Sequence, residues 1–194
     1  MKEETVRVRF KENPVLVDKA LQELQQVLKS NLKWLDCAFG KAFRITSSTE
    51  EGKYDYPAFY NGNGEYISLL PNDNFGNFSW FDIYDPHVVR SATPSRPQYA
   101  IKGALVLWYN LESIYADREV LYTEEVKNEV LRLLTSAGIL QSARLVVTEV
   151  YERFENIYRG YFYNDEFYGA DRHFLLYPYA GLRIEFELTL KTSC

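Results

Sequence analysis

Residues 182–191 alternate without a break. Leu182, Ile184, Phe186, Leu188 and Leu190 take one side, and Arg183, Glu185, Glu187, Thr189 and Lys191 take the other. Successive side chains of a strand leave on opposite faces, so this run predicts a strand in an antiparallel sheet with one buried and one wet face. A sheet with one apolar face needs a second layer to cover it. Residues 13–35 supply the cover. Val17, Leu21, Leu24, Leu28, Leu32 and Leu35 recur at steps of three and four, which is one stripe of a helix. Asn13-Pro14 reads as the helix start and Gly40 as its stop.

Between these two elements the pattern changes several times. Residues 41–46 read as a short strand and the polar run 47–54 as a loop. Residues 56–60 read as an edge strand, because Pro57 cannot donate to a ladder. Asn61-Gly62-Asn63-Gly64 reads as a hairpin turn leading into a strand over 65–70. Residues 78–84 form an aromatic strand, and 85–97, with three prolines, a loop. The apolar centre of 98–110 predicts a strand buried on both faces. Thr123 caps a second helix, with Glu124 and Glu125 at its positive end and Gly138 closing it. Residues 143–151 read as a strand. Residues 153–168 are rich in Tyr and Phe and fit either a helix or a strand. The whole predicts a single α+β domain over 1–194, a mostly antiparallel sheet with two or three helices packed on one face.

Charge and cysteine content narrow the function. The net charge is −5, and no Lys/Arg cluster tracks a phosphate backbone, so specific nucleic-acid binding is not expected. Two cysteines, Cys37 and Cys194, make neither a disulfide framework nor a metal-ligand spacing. The longest apolar stretch, 104–109, is too short for a membrane span, and the acidic start is unlike a secretory signal, so a cytoplasmic protein is expected.

Candidate chemistry is sparse. Asp82, Asp85 and His87 are a possible carboxylate/histidine site, but the ligand count is short and 85–87 reads as a turn. Asp171-Arg172-His173 offers a base beside an acid with no nucleophile, and reads as a solvated turn. Cys37 reads as a buried inert thiol. No nucleophile elbow, phosphate loop or dinucleotide fingerprint occurs. No catalytic residue, metal or cofactor is expected, and the chain is not expected to be an enzyme.

What stands out is the ring content, 16 Tyr, 12 Phe and 3 Trp, more than one domain readily hides. Phe78, Trp80, Phe81 and Tyr84, with Tyr161, Tyr163 and Phe167, are therefore the candidate interface. A second reading makes the rings of Trp80, Trp108 and the late tyrosines a groove for a small molecule or peptide.

Three segments carry a resemblance. They are the opening helix with Tyr56-Pro57-Ala58-Phe59-Tyr60 after it, the stretch Leu70-Pro71-Asn72-Asp73, and the closing strand from Leu182. In their order they resemble tailed-phage and prophage proteins of the tail-terminator and neck-completion class. The resemblance covers most of the chain at the level of pattern, contains no diagnostic motif and transfers no functional residue. It implies a non-catalytic structural protein of a prophage-like tail or head-tail connection, acting through ring-type self-assembly. The expected partners are further copies and other phage-like structural proteins, in the cytoplasm or, once assembled, in a virion.

Overall fold

The structure, a computed structural model, describes residues 8–50, 52–85, 87–91, 97–115, 122–136, 138–159, 161 and 176–191. The elements run α1 (Leu16–Asn31), β1 (Cys37–Thr49), β2 (Gly52–Gly62), β3 (Glu65–Ser68), a 3-10 turn (Asp73–Phe75), β4 (Phe78–Ile83) and β5 (Val88–Ser91). They continue with β6 (Pro97–Asn110), α2 (Leu111–Ile114), α3 (Thr123–Leu134), β7 (Ala143–Tyr151), α4 (Phe154–Ile157) and β8 (Tyr179–Leu190). The strands form one sheet in the order β3-β2-β1-β4-β6-β8-β7, and β5 also pairs with β6. Among the described residues, only β1 and β4 run parallel and the other pairings are antiparallel. The α+β architecture is as the sequence predicts.

The main core lies on one face of the sheet. Leu21, Leu24 and Leu28 of α1 and Val126, Val130 and Leu134 of α3 pack there against Leu105, Leu107, Ile184, Phe186 and Leu188. The step pattern of α1 thus points where expected, but the helix is shorter at both ends. It begins at Leu16 with no side-chain cap, and β1 starts three residues before Gly40. Gly40 is a strand residue, not a helix stop. A Cβ there would lie 3.1 Å from the Phe59 ring and 3.4 Å from Gln25 Oε1.

The opposite face is not wet. It carries a second core of Phe39, Phe59, Phe78, Trp80, Val106 and Trp108, with Ile157 and Tyr158 from α4 and the turn after it packed against them. The alternation of β8 therefore misleads about its polar side: Arg183 is 1% exposed. Helices lie on both faces, with α1 and α3 on one and α4 on the other.

The β1–β2 region also corrects the sequence reading. Residues 47–54, expected as a loop, are the ends of two long strands whose pairing runs out to Thr49↔Gly52. β4 pairs with β1 only from Cys37 to Lys41, so β1 and β2 continue past the main sheet as a two-stranded arm. Pro57 lies within β2, between β1 and β3, instead of on an edge. Its carbonyl accepts from Leu69 N, on the β3 side. The N–H and C=O of a strand residue point the same way, so the donor that Pro57 lacks would face the end of β3, and no β1 ladder bond is lost.

Two tight positions hold the centre together. Asn77, 2% exposed, donates to Trp34 O at 2.8 Å and accepts from Asn110 N at 2.8 Å, while its backbone carbonyl takes Asp36 N and Cys37 N. It ties the α1–β1 connection to β4 and to the end of β6. Gly103, on β6, lies under the Phe186 ring and beside the backbone of β4. A Cβ there would meet Asp82 O at 2.5 Å and Phe186 Cε2 at 3.2 Å. Backbone cannot retreat as a flexible side chain can, so Gly103→Ala is expected to destabilise by about 3 kcal/mol. Urea unfolding of the variant against the parent chain measures this, and a change under about 0.5 kcal/mol would contradict the packing.

Candidate functional site

The candidate interface rings separate into three groups. Phe78, Trp80 and Phe81 are 0% exposed. They are core, and the expectation that they meet another molecule is wrong. The physical reason is that β4 is central, flanked by β1 and β6, with α1 and α3 over one face and α4 over the other. Both faces of a central strand covered this way must be apolar, which is why the aromatics of β4 do not alternate with polar residues. Tyr84 and Tyr161 are half-buried and serve a polar network described below. Tyr163 and Phe167 lie outside the described residues, as does Asp171-Arg172-His173.

Trp80 and Trp108, two of the rings expected to line a groove, are buried. Trp108 is 3% exposed and stacks on Tyr179 with ring centroids 4.8 Å apart, while Trp80 packs against Tyr158 and Tyr161 at 6.2 and 5.9 Å. Trp80 and Trp108 thus pack on other rings, while Tyr177 and Tyr179 line a small cleft of about 270 Å³ with Tyr109 and Glu152.

Asp82, Asp85 and His87 do not converge. Asp82 turns inward, onto the second face of the sheet, and is 6% exposed. Asp85 and His87 stay at the surface, with His87 Nε2 4.0 Å from Asp85 Oδ1. Among the described residues, no three His, Cys, Asp or Glu side chains gather to hold a metal ion. Cys37 is buried, and burial pushes its thiol pKa up, so it is a poor nucleophile at neutral pH.

Asp82 belongs instead to a buried ionic network under α4. Arg183 NH1 donates to Asp82 Oδ2 at 2.9 Å and to Ile157 O at 2.9 Å. Tyr161 OH donates to Asp82 Oδ1 at 2.8 Å. Arg183 NH2 donates to Tyr84 OH, which in turn donates to Glu185 Oε1 at 3.3 Å. Arg159 NH2 closes the outer end on Glu185 Oε1 at 2.9 Å. Burial raises the Asp82 carboxyl, and Arg183 and Tyr161 pull against that rise. The arrangement fastens α4 and the turn after it to β4 and β8. Both terminal nitrogens of Arg183 are hydrogen-bonded, and its Nε lies 3.6 Å from Glu185 Oε1, so the geometry is that of a clamp.

Apart from Phe10 and Tyr177, three exposed rings gather on β1, β2 and β3 at the base of the arm. Phe43, Tyr60 and Tyr66 are 44%, 42% and 52% exposed. They share one face, because Phe43 pairs with Ala58, two residues from Tyr60, and Tyr60 pairs with Tyr66. Their rings touch in a row, Phe43 to Tyr66 at 6.4 Å and Tyr66 to Tyr60 at 5.1 Å. Lys41 lies 5.8 Å over the Phe43 ring. Beside the row, a cleft of about 150 Å³ opens between the arm and α1, with Arg9, Lys11, Lys41 and Gln25 among its lining. Gln22 holds the segment before α1 in place by accepting from Lys11 N and donating to Lys11 O, both at 3.1 Å. Sequence reasoning missed this surface. The signal was present: Phe43 and Tyr60 are large rings at strand positions whose neighbours Arg44, Thr46 and Asn61 are polar.

No family model matches the chain, and no curated protein matches it. No helix among the described residues is long and apolar enough to cross a membrane.

Proposed function

We propose that the chain is a non-catalytic assembly protein, a structural component of a prophage-like tail or head-tail connection, that engages its neighbours through the β1–β2 arm. The observation that carries this reading is the row Phe43, Tyr66, Tyr60 on the arm face, three contacting rings left open to solvent. Large rings bring much apolar area to a contact at little entropic cost, and such patches mark interaction surfaces. Arg9 and Lys41 of the adjoining cleft, where Lys11 is paired with Asp18, complement a subunit whose net charge is −5. An arm that reaches past its own sheet suits a head-to-tail contact, the kind that generates rings. The pattern resemblance to tail-terminator and neck-completion proteins points the same way.

Light scattering on the purified full chain tests it. The parent chain is expected to form a defined oligomer, and Phe43→Ser/Tyr66→Ser to shift it to a smaller species. Both positions are exposed, so unfolding stability should change by no more than about 1 kcal/mol. A double variant that assembles as the parent does would remove the arm from the contact.

A further inference from the structure

β7 forms one edge of the sheet. β8 fills one side of it, and among the described residues no strand lies on the other. A nine-residue edge leaves a row of backbone donors and acceptors ready for another strand. Val146, near the middle of this edge, is 46% exposed. Beside it the end of α3 overhangs a groove of about 560 Å³ that follows β7 from Ala143 to Val147. Leu134, Ile139 and Leu140 form the groove's apolar wall.

We propose that this edge pairs with the same edge of a second copy, antiparallel, about a two-fold axis at Val146. Opposed residues of an antiparallel pair share a face. Setting Val146 against itself places Leu145 against the partner's Val147 on the helix side, where both already pack on the core. On the other side it places Arg144 against the partner's Glu149. The bulge in β7 makes this match. Arg144 pairs with Thr189 and Glu149 with Glu185, four residues apart on β8, so the two charges share a face that unbroken alternation would deny them. Both are exposed, Arg144 makes no ion pair among the described residues, and Glu149 takes only the Tyr151 hydroxyl of its own strand. The strand is therefore complementary to its own antiparallel copy, with two Arg–Glu pairs per seam. A parallel partner in the same register would set Arg144 against Arg144, and like charges directly opposed are unfavourable.

The seam deepens the assembly reading by naming a second copy as one partner. It is isologous and closes on two chains, whereas the arm contact is heterologous, and the two together build a closed assembly of paired subunits.

Charge reversal tests the register on the full chain, read by light scattering over a dilution series. Arg144→Glu alone sets acid against acid twice, and Glu149→Arg alone sets base against base twice. Each is expected to weaken the two-fold association roughly ten-fold or more. Mixing the two variants in equal amounts restores both opposite-charge pairs within one heterodimer, so association should return. Circular dichroism and a thermal melt confirm that each variant is folded. The seam is overturned if the single reversals associate as the parent chain does, if the mixture stays apart, or if the parent chain is monomeric throughout. Association that survives the reversals but is lost in Phe43→Ser/Tyr66→Ser overturns the seam and leaves the arm contact standing. Loss in the reversals with recovery on mixing supports the seam whatever the arm variant does.

Discussion

Replacing Arg183 by Met is expected to cost about 4 kcal/mol of folding stability at neutral pH. The size follows from what stays behind. Asp82 remains buried on a central strand, and of its two partners only the Tyr161 hydroxyl is left. Ile157 O and Tyr84 OH lose their donor in the same step. Removing one member of a buried ion pair leaves an uncompensated charge, which is far worse than removing both. Asp82→Leu in the Arg183→Met background is therefore expected to restore at least half of the loss. The pH dependence gives a second check. Burial already holds the Asp82 carboxyl above its ordinary range against the pull of Arg183. Without Arg183 it rises further. A carboxyl whose folded pKa lies above its unfolded one penalises the fold once pH exceeds the unfolded value, and the penalty grows until pH passes the folded value. The gap between variant and parent should thus narrow as pH is lowered from neutral toward the carboxylate range. Urea unfolding at several pH values measures both effects. A pH-independent loss, or no recovery in the double variant, would show that Arg183 acts through packing alone.

That clamp explains where sequence reading stopped. The strands with a clean signal were legible. Residues 143–151 are β7 to the residue, and 98–110 is β6 but for one added residue, because their apolar patterns are set by the sheet itself. Covering layers leave a weaker trace. Arg183, Glu185 and Glu187 alternate with apolar residues as a solvated face would, and nothing local says that α4 lies across two of them. Arg183 and Asp82 are 101 residues apart, so their pairing is a property of the fold and not of any window of sequence. The rings of β4 failed for the complementary reason. Phe78, Trp80 and Phe81 look excessive for one apolar face, yet the sheet has two covered faces and needs them all. The arm escaped because residues 47–54 are polar and Pro57 reads as a breaker. The buried residues of this part of β2 are Asp55, Pro57, Ala58 and Phe59, too mixed a set to give a clean alternation.

The buried tyrosines turn the same two-faced core into an alkaline liability. Tyr109 and Tyr158 are 1% and 2% exposed, and Tyr161 is half-buried against Asp82. Burial pushes all three hydroxyl pKa values well above the ordinary tyrosine value, and at Tyr161 the Asp82 carboxylate adds to the rise. The sign follows directly. In the unfolded chain these hydroxyls ionise at about pH 10, while in the folded chain they stay protonated. Their contribution to stability is complete below that pH and is lost as pH climbs toward the folded values. Each proton difference is worth about 1.4 kcal/mol per pH unit, so three together give a slope of roughly 4 kcal/mol per unit. A domain stable by about 5–15 kcal/mol withstands only about one to four units of that slope. Cooperative unfolding is therefore expected between about pH 11 and 14. Tyrosinate absorbance during a pH titration should show a distinct late stage in which the buried three ionise together with loss of the circular dichroism signal. Tyr158→Phe keeps the ring, removes one proton from the count, and should flatten the slope by about a third. If every tyrosine ionised in one smooth phase near pH 10 while the fold persisted, these hydroxyls would have to reach water, and the sealed second face of the sheet would be disproved.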